Sequence, residues 1–403
     1  MSRTEITFGL ELEFMMDAGK EVLDASTNPM PRRVIAENLV KLAPGLPVSA
    51  QCTHRTPGAC AICKDAPREL RAQNIRVFAP NKPIFPPART LHVPWNPDTG
   101  GVTCYSLELS TPIFDSAELK AGVPRLAKVV SALRGMKHRL TANTQCGLHI
   151  HVGPGGGGMK LDVAKKVVTL TYLLERPLLS ALCHPKRKQA AFYKPLYMRS
   201  AGMRTARMRR EQKRPLTAEC KELLEHFPYT LQTLKPGGWN MKQPADLLEV
   251  LRMLWDAKTL PQLWGGIVDS SEHKGSLAIV FRDQEGNPAK EMKPKAANYE
   301  DKPSTFEFRY PQMGFDTIFV RNWAEIVCRI VEIGTLEKGS FKAKVTEIVA
   351  TLEACEGKDT IGPMLQCLGL KNQIPQWSEQ LQRYDAGYAI PGLGKDGWVV
   401  PEK

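Results

Sequence analysis

Seven residues in four short stretches have the types and spacing for metal-assisted chemistry. They are Glu11 and Glu13 in Phe8-Gly9-Leu10-Glu11-Leu12-Glu13-Phe14, Glu108 in Leu107-Glu108-Leu109, His149 and His151 in Leu148-His149-Ile150-His151-Val152, and Glu307 and Arg309 in Phe306-Glu307-Phe308-Arg309-Tyr310. In each, apolar residues alternate with polar ones, which marks a half-buried strand whose side chains point to opposite faces. One face would bury Phe, Leu, Ile or Tyr. The other would gather carboxylates, imidazoles and a guanidinium where an ordinary solvated face carries Thr, Lys, Ser and Gln. Crowded carboxylates repel one another unless a cation sits among them. Carboxylates with one or two imidazoles suit Mg²⁺ or Mn²⁺, whereas thiolates would point to zinc.

The spacing adds detail. Glu-x-Glu on a strand sets two carboxylates on one face, about 7 Å apart, a pair that can address two neighbouring cations. His-x-His does the same with a metal ligand and a phosphate contact. Glu-x-Arg puts a ligand beside a fixed positive charge that can neutralise a transferring phosphoryl group. Two cations and an arginine around a strongly negative substrate describe phosphoryl transfer from a nucleotide. A metallohydrolase that activates water with the same cup, and needs no ATP, is the open alternative.

The elements that must position these residues follow along the chain. The first strand runs from Ile6 to Phe14, and a helix follows from about Pro31 to Leu42. Residues 44–100, rich in Pro, Gly and Cys, read as an irregular excursion with short strands. Strand Cys104 to Ser110 precedes a long helix from an N-cap at Ser116 to about Arg139, with Pro124 delaying or kinking it. Strand Cys146 to Gly153 leads to a helix capped by Asp162 and running to about Leu182. Strands Ser276 to Arg282 and Thr305 to Tyr310 and a helix from Arg321 to Thr335 complete the body. Strands interleaved with helices, without a βαβ rhythm, predict an α+β fold with a mostly antiparallel sheet. Residues 1–338 form the expected catalytic domain, and 339–403 a helical extension ending in a loose tail.

Composition narrows the class. The chain of 403 residues carries a net charge of +13, but 186–214 holds eleven Lys and Arg against one acid, Glu211, leaving +3 for the rest. The basicity belongs to one segment and not to a nucleic-acid-binding surface spread over the protein. That segment, spanning 184–215 with its flanks, reads as a lid over an anionic substrate, with Arg207, Arg209 and Arg210 as nucleotide contacts. An RNA-binding arm, using Tyr193 and Tyr197 for stacking, is the alternative. Cys52, His54, Cys60 and Cys63 have ligand types for a structural zinc; thiols in a loop are the other reading. The glycines from Gly155 to Gly158 either cradle phosphate or link a strand to a helix. Most other cysteines sit singly in apolar stretches, as buried thiols of a reducing compartment do. With no apolar leader after Met1 and no run of about 18 apolar residues, the cytoplasm is the expected location, with no membrane partner.

The chain resembles the fungal-type amidoligases, relatives of glutamine synthetase and γ-glutamylcysteine ligase. The resemblance rests on the Phe-Gly-x-Glu-x-Glu-Phe strand at Phe8, on Glu108-Leu109-Ser110-Thr111-Pro112, on Cys-x-x-His-x-His-Val-Gly from Cys146 to Gly153, and on His184-Pro185-Lys186-Arg187. Glu307-Phe308-Arg309, with Gly314 and Asn322-Trp323 after it, completes the set in family order. It implies a glutamine-synthetase-like domain whose curved, mostly antiparallel sheet forms an active-site cup flanked by helices. It further implies an ATP- and Mg²⁺-dependent ligase that joins a small-molecule or peptide carboxylate to an amine through an acyl phosphate. Glu11, Glu13, Glu108, His149 and Glu307 would hold the cations, His151 a nucleotide phosphate, and Arg309 the transferring phosphoryl group. Segment 44–100 has no counterpart in the family pattern. A basic nucleic-acid-binding protein on a degenerate ligase scaffold is the second alternative.

Overall fold

The computed structural model describes residues 5–17, 35, 38–39, 41–43, 48–50, 75–78, 91–92, 103–155, 158–190, 193–212, 244–268, 275–282, 299–300, 302–355 and 358–401. The zinc candidates Cys52, His54, Cys60 and Cys63 lie outside these residues, as do Gly156 and Gly157. The fold is α+β, with antiparallel pairing dominant. No described helix is long and apolar enough to cross a membrane.

In chain order, the first elements are β1 (Ile6–Asp17), β2 (Val48–Ala50), β3 (Ile75–Phe78), β4 (Leu91–His92), β5 (Thr103–Ser110) and β6 (Phe114–Asp115). Helices α1 (Ser116–Lys120) and α2 (Pro124–Arg134) precede β7 (Leu140–Thr141) and β8 (Leu148–Pro154). Next come α3 (Leu161–Leu174), α4 (Pro185–Lys188), α5 (Leu196–Arg199), α6 (Ala201–Glu211), α7 (Pro244–Asp256) and α8 (Leu260–Ile267). Strands β9 (Leu277–Val280) and β10 (Thr305–Phe308) lead to α9 (Thr317–Gly334), α10 (Lys338–Ala354), α11 (Ile361–Cys367) and α12 (Ile374–Asp385).

The chain divides into two compact units. A β-rich unit comprises Phe8–Ile150, Pro311–Ala324 and Gln382–Lys403; an α-rich unit comprises Met1–Thr7, His151–Tyr310 and Glu325–Leu381. Strand β8 contributes Leu148 to Ile150 to the first and His151 to Pro154 to the second.

Within the β-rich unit, β1 pairs antiparallel with β5, β5 with β3 and β4, and β3 runs parallel to β2. The predicted alternation of β1 shows in burial from Ile6 to Leu12, where Phe8, Leu10 and Leu12 are buried and Gly9 and Glu11 less so; from Leu12 to Met16 every residue is buried, Glu13 included. Phe8 packs on Phe114 and Phe14 on Phe315. One long helix was expected after Ser116, but two form. Gly122 and Val123 both take left-handed backbone, at φ 82° and 54°. Pro124 then opens α2 at a position where its missing N–H costs nothing. The N-cap of α1 is Asp115, not Ser116; its carboxylate accepts from the Glu118 amide. The C-terminal stretch is not a loose tail. Val399 N donates to Leu140 O, Phe315 N to Pro391 O, and Trp398 is buried under Arg139.

Within the α-rich unit, every residue of α3 from Ala164 to Leu174 is buried, which makes α3 its central helix. Asp162 is not its cap: Lys160 holds that position without a side-chain bond, and Asp162 pairs with Lys166 one turn on, at 2.6 Å. The helix was expected to run to Leu182, but it gives way to a π-helical turn at Glu175–Leu179. Pro177, with no N–H to offer the α-helical ladder, falls in that turn.

Candidate active site

Strand pairing sets the carboxylates of the β-rich unit. In the β1–β5 ladder Glu13 lies opposite Glu108, and Glu11 opposite Ser110. Directly opposed residues share a face, and Glu11 and Glu13 share one by their two-residue spacing. The three carboxylates therefore belong to one face. His149 joins them from β8: its Nδ1 lies 3.1 Å from Glu11 Oε2 and its Nε2 3.6 Å from Glu13 Oε1. One buried imidazole thus spans two carboxylates. Glu13 Oε2 also accepts from the Gly147 amide at 2.6 Å, and Glu13 N returns a bond to Gly147 O. That closeness requires glycine. A Cβ on Gly147 would lie 2.5 Å from His149 Nε2 and 3.0 Å from Glu13 Oε2. The other oxygen, Glu13 Oε1, is buried without a hydrogen-bond partner among the described residues.

The loops serve the same strands. Thr111 Oγ1 accepts from Leu10 N and donates to Pro112 O, which fixes the exit of β5 against β1. The Asn143 side chain accepts from the amides of Gln145 and Cys146 and shapes the entry to β8.

The α-rich unit holds the other predicted residues. Glu307 on β10 is 1% exposed, and Arg309 just past the strand end is 6% exposed. Arg309 Nη1 donates to Glu307 Oε1 at 2.5 Å, and His151 Nε2 stands 3.9 Å from that oxygen. His151 Nδ1 meets Thr305 Oγ1 at 3.3 Å. The Glu-x-Arg spacing therefore yields a real ion pair, with His151 beside it.

The basic segment is folded in its described part. Helix α6 buries Met203 and Ala206. Arg207 Nη2 donates to Tyr197 O at 2.7 Å, and Arg209 Nη1 pairs with Glu249 of α7 at 2.9 Å. Arg210 lies on α6, and its side chain is outside the described set. Arg187 is buried, donating to the carbonyls of Arg309 and Tyr310.

Sequence reasoning missed Gly147, Arg187 and Glu175. Gly147 had a signal: a glycine two residues ahead of a histidine at a strand entry. Arg187 was hidden among the charges around it. Glu175 is the one acid in the apolar run from Val167 to Leu182.

A divalent cation fits the first cluster chemically. Three carboxylates and an imidazole are an oxygen-rich donor set, two of the carboxylates face each other across a ladder, and a buried carboxylate oxygen lacks a hydrogen bond. These features make a candidate cation site of three carboxylates and one imidazole on an α+β scaffold. The sequence model of the family described as "Putative amidoligase enzyme" matches residues 4–246, and the chain belongs to that family. The family marks it as a ligase of the amide-bond-forming class. No curated protein matches the chain.

Proposed function

We propose that this amidoligase is an ATP- and Mg²⁺-dependent carboxylate–amine ligase that works through an acyl phosphate, on a glutamine-synthetase-like fold. The observation that carries the reading is His149 held between Glu11 and Glu13, with Glu13 opposite Glu108. Such a cluster supports the binding of cations that accompany a polyphosphate.

Glu11, Glu13, Glu108 and His149 would hold Mg²⁺ or Mn²⁺. When bound, the cations supply charge neutralisation at the phosphates of ATP. His151 would donate to a phosphate oxygen. Arg309 would neutralise charge on the phosphoryl group as it moves to the acid, while Glu307 keeps the guanidinium oriented through their ion pair. A free carboxylate resists an amine because its leaving group would be oxide. Phosphorylation converts that leaving group to phosphate, and the amine then closes the amide. Arg207, Arg209 and Arg210 would bring the nucleotide in. The partners are a small-molecule or peptide acid and an amine. The buried thiols Cys183, Cys328, Cys355 and Cys367 support a cytoplasmic location.

The test is nucleotide consumption with a panel of acids and hydroxylamine, which traps any acyl phosphate as a hydroxamate. Hydroxamate that depends on ATP and vanishes with chelator supports the ligase. Chelator-sensitive hydrolysis without ATP would move the protein to the metallohydrolases.

A further inference from the structure

Glu175 is fully enclosed in the α-rich unit and takes no part in the chemistry just proposed. Its carboxylate nonetheless organises two segments that do. Oε1 accepts from Leu196 N at 2.7 Å and from the Tyr310 hydroxyl; Oε2 accepts from Tyr197 N at 2.7 Å. Tyr310 follows Arg309 directly. Leu196 and Tyr197 open α5, whose Tyr197 carbonyl holds Arg207. The backbone around Arg309 has further ties: Arg309 N donates to Ser276 O, and Arg187 donates to the carbonyls of Arg309 and Tyr310. The π-helical turn that begins at Glu175 is a costly local geometry, of the kind that tends to persist where it serves function.

We propose that Glu175 is a positioning residue for Arg309. It binds the strand end that presents Arg309 and the start of the basic helices to one buried carboxyl, so the two move as a unit. The proposal rests on the ligase reading for its kinetic consequence but not for its structural one. Burial pushes the carboxyl up to about 7, against the lowering effect of the Tyr310, Tyr197 and Leu196 bonds and of Arg176. A group under that penalty is retained for its three donors. No amide can replace it: a glutamine can turn its oxygen toward Leu196 and Tyr310 or toward Tyr197, not toward all three.

Two variants test the idea. Glu175→Gln breaks at least one of the three bonds. Tyr310→Phe removes one hydroxyl and leaves Glu175 its two amides, so it keeps the test alive if the first variant folds poorly. Hydrogen exchange is followed on peptides covering 196–199 and 308–311, with turnover in the hydroxamate assay and Mg·ATP affinity by calorimetry. Both variants should exchange faster in those two segments and normally in Lys338–Ala354. Turnover should fall about tenfold with ATP affinity changed by less than about threefold, because the defect lies in how Arg309 meets the transition state. Adding Arg309→Lys to Tyr310→Phe should cost no more than Arg309→Lys alone. Unchanged exchange at both segments, a uniform rise over the whole chain, normal turnover in both variants, or fully multiplicative losses in the double variant would each overturn the proposal. If the wild-type protein makes no hydroxamate, the ligase reading fails, and the exchange data still decide whether Glu175 positions this strand end.

Discussion

Glu13 and Glu108 stand opposite each other across the β1–β5 ladder, two carboxylates in register on one face. Like charges in that relation destabilise a sheet, by about 0.2–1 kcal/mol for an exposed pair. Glu13→Gln should therefore raise the melting temperature of the metal-stripped protein by up to about 1 °C. The variant should also lose most of any stabilisation that Mg²⁺ or Mn²⁺ gives the wild type. Melting curves with chelator and with each cation check both statements. A wild type indifferent to divalent cations would remove the cation from the site.

Gly147→Ala tests the packing of His149 without touching a ligand. The added methyl would meet the imidazole and the Glu13 carboxylate well inside contact distance. Overpacking of this kind costs about 1–3 kcal/mol. The imidazole should yield first, so divalent-cation affinity should fall by about tenfold or more, a loss of roughly 1.4 kcal/mol. Calorimetric titration with Mn²⁺ measures it.

Arg309→Lys separates chemistry from binding. An ammonium cannot reproduce the planar fork that serves Glu307 and, in the proposed reaction, would serve a phosphoryl oxygen as well. Loss of a preorganised donor typically costs about 10²–10³ in rate. Turnover should drop on that scale with a much smaller change in ATP affinity. Near-normal turnover would confine Arg309 to its ion pair with Glu307.

Glu175 gives stability a pH dependence. Its carboxyl is raised from 4.5 to about 7 by burial, so the folded chain holds this proton more tightly than the unfolded chain does. Its contribution is fully present below the unfolded value and is lost as pH rises toward and through 7. The difference is about 3 kcal/mol on a linkage estimate. Tyr172, Tyr193, Cys183 and Tyr310 face it as groups with raised values of their own, and Arg176 brings the nearby positive charge. Denaturant midpoints at pH 5 and pH 8 should fall more for the wild type than for Glu175→Gln. Equal slopes would show that the carboxyl is not protonated in the folded chain.

The strands were the most legible part of the sequence, because period-two alternation is local and β1 follows it from Ile6 to Leu12. From that period came the shared face of Glu11 and Glu13 and the Glu307–Arg309 pair. Helix limits were less legible. The break at Gly122 and Val123 depends on two left-handed residues, one of them a valine, which composition does not announce. Asp162 looked like a cap but lies inside the first turn, because Lys160 already takes the extended conformation there. Arg187 could be read only as part of the His184-Pro185-Lys186-Arg187 element, without a role, and Glu175 not at all. Each is defined by partners more than a hundred residues away or across a turn, and only folding brings the Tyr310 carbonyl to one and its hydroxyl to the other.

Strand β8 also says how this protein can vary over evolutionary time. His149 and His151 are separated by one residue, Ile150, whose side chain is buried. Substitution at Ile150 by another apolar residue leaves both imidazoles where they are. Deleting that codon, or adding one beside it, would turn one imidazole to the opposite side of the strand, away from Glu307 or away from Glu11 and Glu13. The stretch can drift in letters but not in length, and a reading frame that gains or loses a single residue there is expected to be purged even where the encoded chain still folds.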